Sequence, residues 1–172
     1  MNYITKPVSR KQLREYAKIF RQLFDVPEGG PFPVLSSLER VSDVFEGTTF
    51  IVVEDDVLPK NVVCQCKKNE GKGFTIEIKQ YVYDGAMERI GAYQGFILHE
   101  MSHVFMYELG YTPILQRSFQ EPPLYCDVEW QVKALTGEIA IPYEETEGMS
   151  IAEIKKQYNV SKGFAKKRIQ LL

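Results

Sequence analysis

The chain has 172 residues, 44% hydrophobic and 26% charged, with 21 basic against 23 acidic groups and a formal net charge of -2. One ordinary folded domain fits those figures, which exclude collagen-like, disulfide-scaffold and disordered classes as well as a chain held to nucleic acid or membrane by its overall field. The longest apolar runs, such as Phe50-Ile51-Val52-Val53, are far shorter than the roughly 20 residues of a membrane span. The first residues lack the apolar core of a secretory signal, so a cytoplasmic location with no membrane partner is expected.

In chain order, Leu13, Tyr16, Ala17, Phe20, Leu23 and Phe24 recur at three- and four-residue steps behind Ser9, predicting an amphipathic helix ended by Pro27 and Gly29-Gly30. A second helix is predicted over 34–45, with Val34, Leu38, Val41 and Phe45 on one stripe and Gly47 as its stop. The texture then turns β-branched and aromatic, and three strands are predicted over 49–54, 62–67 and 74–82. The loop from Asn69 to Gly73 should return the chain as an antiparallel hairpin, and Thr75, Glu77 and Lys79 should form the wet face of the third strand. Cys64 and Cys66 fall in the second strand, where they are expected to point to opposite faces, and with Cys126 to be reduced structural thiols.

Helical spacing returns over 86–109, a Pro-rich connection follows over 112–123, and another helix is expected over 124–140 before Pro142. The acidic stretch 144–148 is a linker candidate, dividing a body of 1–147 from a helical C-terminal extension of 148–172. Ser150 and Glu153 have capping-box spacing and Ser161 can cap a second helix. From Ser150 onward six basic residues face one acidic residue, so this extension is +5 and the rest of the chain -7. It reads as a helical hairpin docked on the acidic body, with Ile151, Ile154 and Tyr158 buried and Glu153, Lys155 and Lys156 solvated. The alternative reading is a helix-turn-helix touching DNA phosphates. The fold class expected is α+β: two N-terminal helices, a small, mostly antiparallel sheet, two further helices bearing the site described next, and the helical extension.

The chemistry concentrates in His99-Glu100-Met101-Ser102-His103, which holds the only two histidines of the chain. On a helix this spacing puts both imidazoles on one face, one turn apart, where they can bind a single Zn²⁺. Glu100 between them is placed to act as general base without occupying a ligand position. A catalytic zinc takes three protein ligands and leaves one position open. The pattern that supplies Gly and a third His further along the same helix is excluded by Met106 and Leu109. The third ligand must then be a carboxylate or thiolate: Glu129 is the first choice, Asp127 and Cys126 the next, and Glu108 and Glu121 follow.

The segment from Glu129 to Pro142, EWQVKALTGEIAIP, resembles the glutamate helix of the ImmA/IrrE family of zinc metallopeptidases, of the HExxH gluzincin class. The run from Tyr93 into His99-Glu100-x-x-His103 is similar to that family's active-site helix, and the tail with Val160-Ser161 and Arg168 resembles its C-terminal extension. The resemblance spans about 45–172, with Ser102 where the family usually has Gly, Val132 and Lys133 in place of Ala and Asn, and Thr136 in place of Ala.

It implies a zincin-like domain with His99, His103 and Glu129 as zinc ligands and Glu100 as catalytic base. The function implied is hydrolysis of a peptide bond in a partner protein, such as a helix-turn-helix repressor of a prophage or mobile element. An edge of strand 74–82 is expected to hold extended substrate, and Tyr107, Tyr111 and Tyr125 are candidate oxyanion donors. The competing function is a DNA-binding or regulatory protein with a structural zinc, closed by Cys126 as fourth ligand.

Overall fold

The computed structural model describes residues 2–116 and 120–170, so 117–119 of the Pro-rich connection and the last two residues of the tail lie outside the described residues. Among the described residues there are eight α-helices and a small three-stranded sheet with a separate two-stranded ribbon, an α+β architecture. None of these helices is long and apolar enough to cross a membrane.

Strand β1 (Asn2–Ile4) leads into α1 (Arg10–Leu23), which Ser9 caps by accepting from the Gln12 amide at 3.1 Å. The predicted stripe of α1 buries Leu13, Ala17 and Phe20, and Phe20 sits within 5.0–6.3 Å of the rings of Phe24, Phe32, Phe45 and Phe105. The helix predicted over 34–45 is instead two short ones, α2 (Val34–Glu39) and α3 (Val41–Val44). Arg40 breaks it: its amide bonds back to Ser37, tightening the turn, while its guanidinium reaches the Phe24 carbonyl and Asp25.

The sheet has the order β2 (Thr49–Val53), β4 (Phe74–Lys79), β3 (Cys64–Lys68). The hairpin β3–β4 is antiparallel as expected, with Cys64 opposite Ile78 and Lys68 opposite Phe74, while β2 runs parallel to β4. Two glycines make this possible. Gly47 (φ 81°) and Gly73 (φ 84°) lie so close that a Cβ on Gly47 would meet the Lys72 carbonyl and one on Gly73 would meet Gly47 itself. This contact fastens the hairpin tip beside the start of β2.

The strand predicted over 74–82 is shorter. It ends at Lys79, and α4 (Gln80–Met87) follows, then α5 (Gly91–Glu108), so the helix predicted over 86–109 is also broken. Arg89, in the left-handed region at φ 64°, makes the break. Tyr81, Val82 and Tyr83 have strand propensity, but tertiary packing overrides it: Tyr83 stacks on Phe50 and Tyr81 meets Tyr93 edge-on. Lys79, expected on the wet face, is buried, its Nζ donating to the Pro59 carbonyl at 2.8 Å.

After α5 the short β5 (Ile114–Gln116) pairs with β1 in an antiparallel ribbon that the sequence pattern does not announce. A single 3-10 turn at Leu124–Cys126 then precedes α6 (Val128–Ala140), so the helix expected from 124 starts at Val128, where Asp127 caps the Trp130 amide at 2.7 Å.

The tail forms α7 (Ile151–Tyr158) and α8 (Lys162–Ile169), with the capping box at Ser150 and Glu153 and with Ser161 capping the Phe164 amide. Ile154, Tyr158 and Ala165 belong to the same core as α1, α5 and α6, and Ile151 is half-buried. Arg168 lies beneath α8, bonding both carboxylate oxygens of Glu138 on α6 at 2.7 and 2.8 Å. Five lysines of the tail are exposed, and one of them, Lys167, borders a cavity described below.

Candidate metal centre

Helix α5 is apolar on most of its circumference, with Ile97, Leu98, Met101, Val104, Phe105 and Met106 all at most 3% exposed. His99, Glu100 and His103 lie half-buried on its polar side, where polar groups partly withdrawn from water gain from partners. The two imidazoles stand 4.9 Å apart and 80° to one another. Opposite them is Glu129, in the first turn of α6, where the helix dipole favours a carboxylate and the Asp127 cap fixes the chain's entry. Its Oε1 is 3.0 Å from His103 Nε2 and its Oε2 3.3 Å from His99 Nε2. Hydrogen bonds first from His103, then from His99, hold the Glu129 carboxyl well below the usual carboxylate range.

Three ligand atoms, two imidazole nitrogens and one carboxylate oxygen, lie within 4.8 Å of one another, and this group can hold a metal ion. Two nitrogens and one oxygen form a donor set that suits zinc and other borderline divalent ions. Among the described residues no fourth His, Cys, Asp or Glu joins the group. Asp127 spends its carboxylate on capping α6, Cys126 does not close the site, and Glu108 and Glu121 are exposed.

Glu100 points to the same place without sharing the ligand role. Burial pushes its carboxyl up to about 7; His99 opposes this, Glu129 reinforces it, and a hydrogen bond from the Cys66 backbone steadies the charged form. That last contact identifies the strand beside the site. Phe74 of β4 borders the cleft as expected, but β4 is the central strand of the sheet and has no free edge to hold a substrate, so that part of the expectation is corrected: the edge strand packed along α5 is β3.

The expectation for Cys64 and Cys66 is corrected as well, because residues two apart on a strand share a face. Both thiols are raised by burial and then by the nearby Glu100 charge, and Cys64 Sγ lies 3.4 Å from the Phe96 carbonyl. They are free, inert thiols packed near α5.

Two of the departures noted in the family resemblance meet each other. Ser102 on α5 and Thr136 on α6 are buried, their hydroxyls 3.0 Å apart, with Ser102 donating to the Leu98 carbonyl and Thr136 within 2.7 Å of the Val132 carbonyl. The pair joins the helix of the histidines to the helix of Glu129.

A cleft opens on both sides of the His99–His103–Glu129 group. The larger cavity, about 910 Å³, runs between the start of α5, α6 and the tail, and the smaller, about 380 Å³, lies toward Tyr107 and Tyr111. His99, Glu100 and Glu129 line both. Tyr107 hydrogen-bonds Lys68 at 2.6 Å and Tyr111 hydrogen-bonds Tyr16 at 2.9 Å, whereas Tyr125 lines neither cavity.

Sequence reasoning passed over Glu138. The signal was a charge flanking the apolar stripe of Val128, Val132, Leu135 and Ile139, a place where only a paired carboxylate is tolerated.

No protein-family model matches the chain, and no curated protein does.

Proposed function

We propose that the protein is a zinc-dependent endopeptidase of the ImmA/IrrE kind, acting on a partner protein in the cytoplasm. The observation that carries this reading is the juxtaposition of Glu100 with a His99–His103–Glu129 group of three ligand atoms and, among the described residues, no fourth. A closed structural site would need four protein ligands.

His99, His103 and Glu129 would hold the ion. Zinc bound there supplies Lewis acidity that polarises a peptide carbonyl and lowers the pKa of water. The chain's own part is positional and proton-handling. Glu100 takes the proton of the attacking water and returns it to the departing amine nitrogen, a role that fits a carboxyl whose pKa is pushed up to about 7. The Cys66 amide orients Glu100, and the Ser102–Thr136 contact keeps α5 and α6 at fixed separation. An extended substrate laid along β3 would run from the larger cavity, which Cys64 lines, to the smaller, which Gln65 and Cys66 line. Tyr107 and Tyr111 border that smaller cavity and are the oxyanion-donor candidates. A helix-turn-helix repressor of a prophage or mobile element is the partner the family resemblance suggests.

Elemental analysis of wild type, Glu100→Gln and Glu129→Gln, run beside a cleavage assay, tests the proposal. One zinc per chain in wild type, kept in Glu100→Gln without cleavage and lost in Glu129→Gln, is the expected result. A reconstituted wild type that binds no metal would overturn it.

A further inference from the structure

The larger cavity has a charge pattern that hydrolysis does not require. Among the described residues, its acidic lining residues are Glu100 and Glu129, both at the metal centre, whereas Arg10, Lys133, Lys167 and Arg168 supply four basic ones. Arg10 and Arg168 are partly neutralised, since they converge with Arg14 on the single carboxylate of Glu138. That leaves three guanidinium charges on one carboxylate, and the buried Arg168 keeps an Nε–H with no partner among the described residues. Lys133 and Lys167 are exposed and make no hydrogen bond or ion pair with any described residue. Helix α5 also opens on this cavity, its N-terminus uncapped by any side chain. Much of the remaining lining is apolar, with Val63, Phe96, Trp130, Val160 and Phe164 among it.

We propose that this arm of the cleft is a specificity subsite for a substrate carboxylate carried on an otherwise apolar segment, with Lys133 of α6 and Lys167 of α8 as its recognition residues. The nature of the ligand, a peptide, rests on the peptidase reading; the preference for negative charge rests on the cavity. Lys133 is one helical turn, about 6 Å, from Glu129. That is the span of about two residues of extended chain, so the carboxylate belongs within about two residues of the scissile bond. It can come from an acidic side chain or from the substrate's own C-terminus. On this reading the tail forms part of the wall of the subsite, and Lys167 is the one of its lysines that faces substrate.

The test uses zinc-loaded Glu100→Gln protein, which holds substrate without cutting it, and fluorescein-labelled nonapeptide mixtures with one fixed position. Mixtures fixed as Glu are compared with mixtures fixed as Gln, each with a C-terminal amide, and Gln mixtures with a free C-terminus report the second source of the carboxylate. Anisotropy at low salt should show a preference of about tenfold for one of the carboxylate-bearing sets, weakening as salt rises. The added substitutions Lys133→Glu and Lys167→Glu, both at exposed positions, should reverse that preference toward mixtures fixed as Lys, a gain that misfolding cannot produce. Equal binding of all mixtures, absence of binding, or a preference that survives the double charge reversal would overturn the subsite. Failure of the two proposals is separable. If the carboxylate preference is present but zinc-loaded wild type leaves the peptides whole, the subsite stands and the peptidase reading falls. Cleavage without discrimination has the opposite meaning.

Discussion

Removing one side of the Glu138–Arg168 pair should cost far more than removing both. The pair is bidentate at 2.7 and 2.8 Å, with side chains 1% and 3% exposed, so neither charge can recover its hydration while the tail stays docked. Glu138→Met leaves the Arg168 guanidinium buried without a counter-charge, a change that typically costs about 3–5 kcal/mol. For a chain of this size that corresponds to a drop in Tm of roughly 6–20 °C. Arg10 and Arg14, each with a side chain 25% exposed, can turn to water and add little. Arg168→Met should cost a similar amount by stranding the carboxylate among weaker partners at 3.3 and 3.4 Å. The double variant puts two apolar side chains into that space and should recover most of the loss, giving a coupling of about 2 kcal/mol or more. Urea denaturation of the four proteins reads the cycle, and hydrogen exchange in α8 reports whether the tail separates first. Single variants that each cost under about 1 kcal/mol, or costs that simply add, would refute the claim that this pair fastens the extension to the body.

Zinc at about 100 times its Kd should stabilise wild type by about 2.7 kcal/mol, and a chelator should reverse this. Glu129→Gln should show no such shift in calorimetry. In metal-free protein Glu100 carries a folded-state pKa raised from 4.5 to about 7, so the folded chain holds a proton that the unfolded chain has released. Its contribution is intact below pH 4.5 and is lost as pH rises toward 7. Glu100→Gln should therefore gain stability relative to metal-free wild type between about pH 5 and about pH 8, and parallel urea midpoints at the two pH values would contradict this. Thr136→Ala should cost about 1 kcal/mol by removing a buried hydroxyl that meets Ser102, and the Ser102→Ala, Thr136→Ala double variant should cost less than the sum of the singles in thermal unfolding. Gly47→Ala should destabilise by more than about 1 kcal/mol, since φ 81° and contact with Lys72 both exclude a Cβ, and a loss within error would show that the hairpin tip can shift.

The elements legible in the sequence are those whose burial follows one period. The stripe of α1, the hairpin β3–β4 and the caps at Ser9, Ser150 and Ser161 all stand where spacing and cap chemistry place them. The errors fall where a non-local contact decides. Gln80 to Met87 fold as a helix because Tyr81 and Tyr83 find aromatic partners 12 and 33 residues away in sequence, and a window of local propensity cannot contain those contacts. The break at Arg40 carries no Gly or Pro to announce it, that at Arg89 is marked only by Gly91 two residues on, and β1 pairs with a strand more than a hundred residues on, too short to show a period. The parallel placement of β2 depends on the approach of Gly47 to Gly73, two glycines that read locally as ordinary turns.

The candidate metal group was more legible than the fold around it, for a physical reason. Coordination by two residues of one helix requires a four-residue spacing, so the constraint is written locally at His99 and His103, whereas Glu129 depends on how α6 crosses α5. That crossing is set by contacts scattered along both helices, among them Ser102 against Thr136 and the Asp127 cap at the start of α6. The cleft is more distributed still. Its cationic wall draws Lys133 from α6 and Lys167 from α8, and it takes shape only because Arg168 carries α8 down onto Glu138. A +5 tail can mean a surface for a polyanion or a lining for a cavity, and its sum of charges does not separate the two. What separates them is where each charge points: Arg168 inward to a carboxylate, Lys167 into the larger cavity, and only the remaining lysines to open solvent.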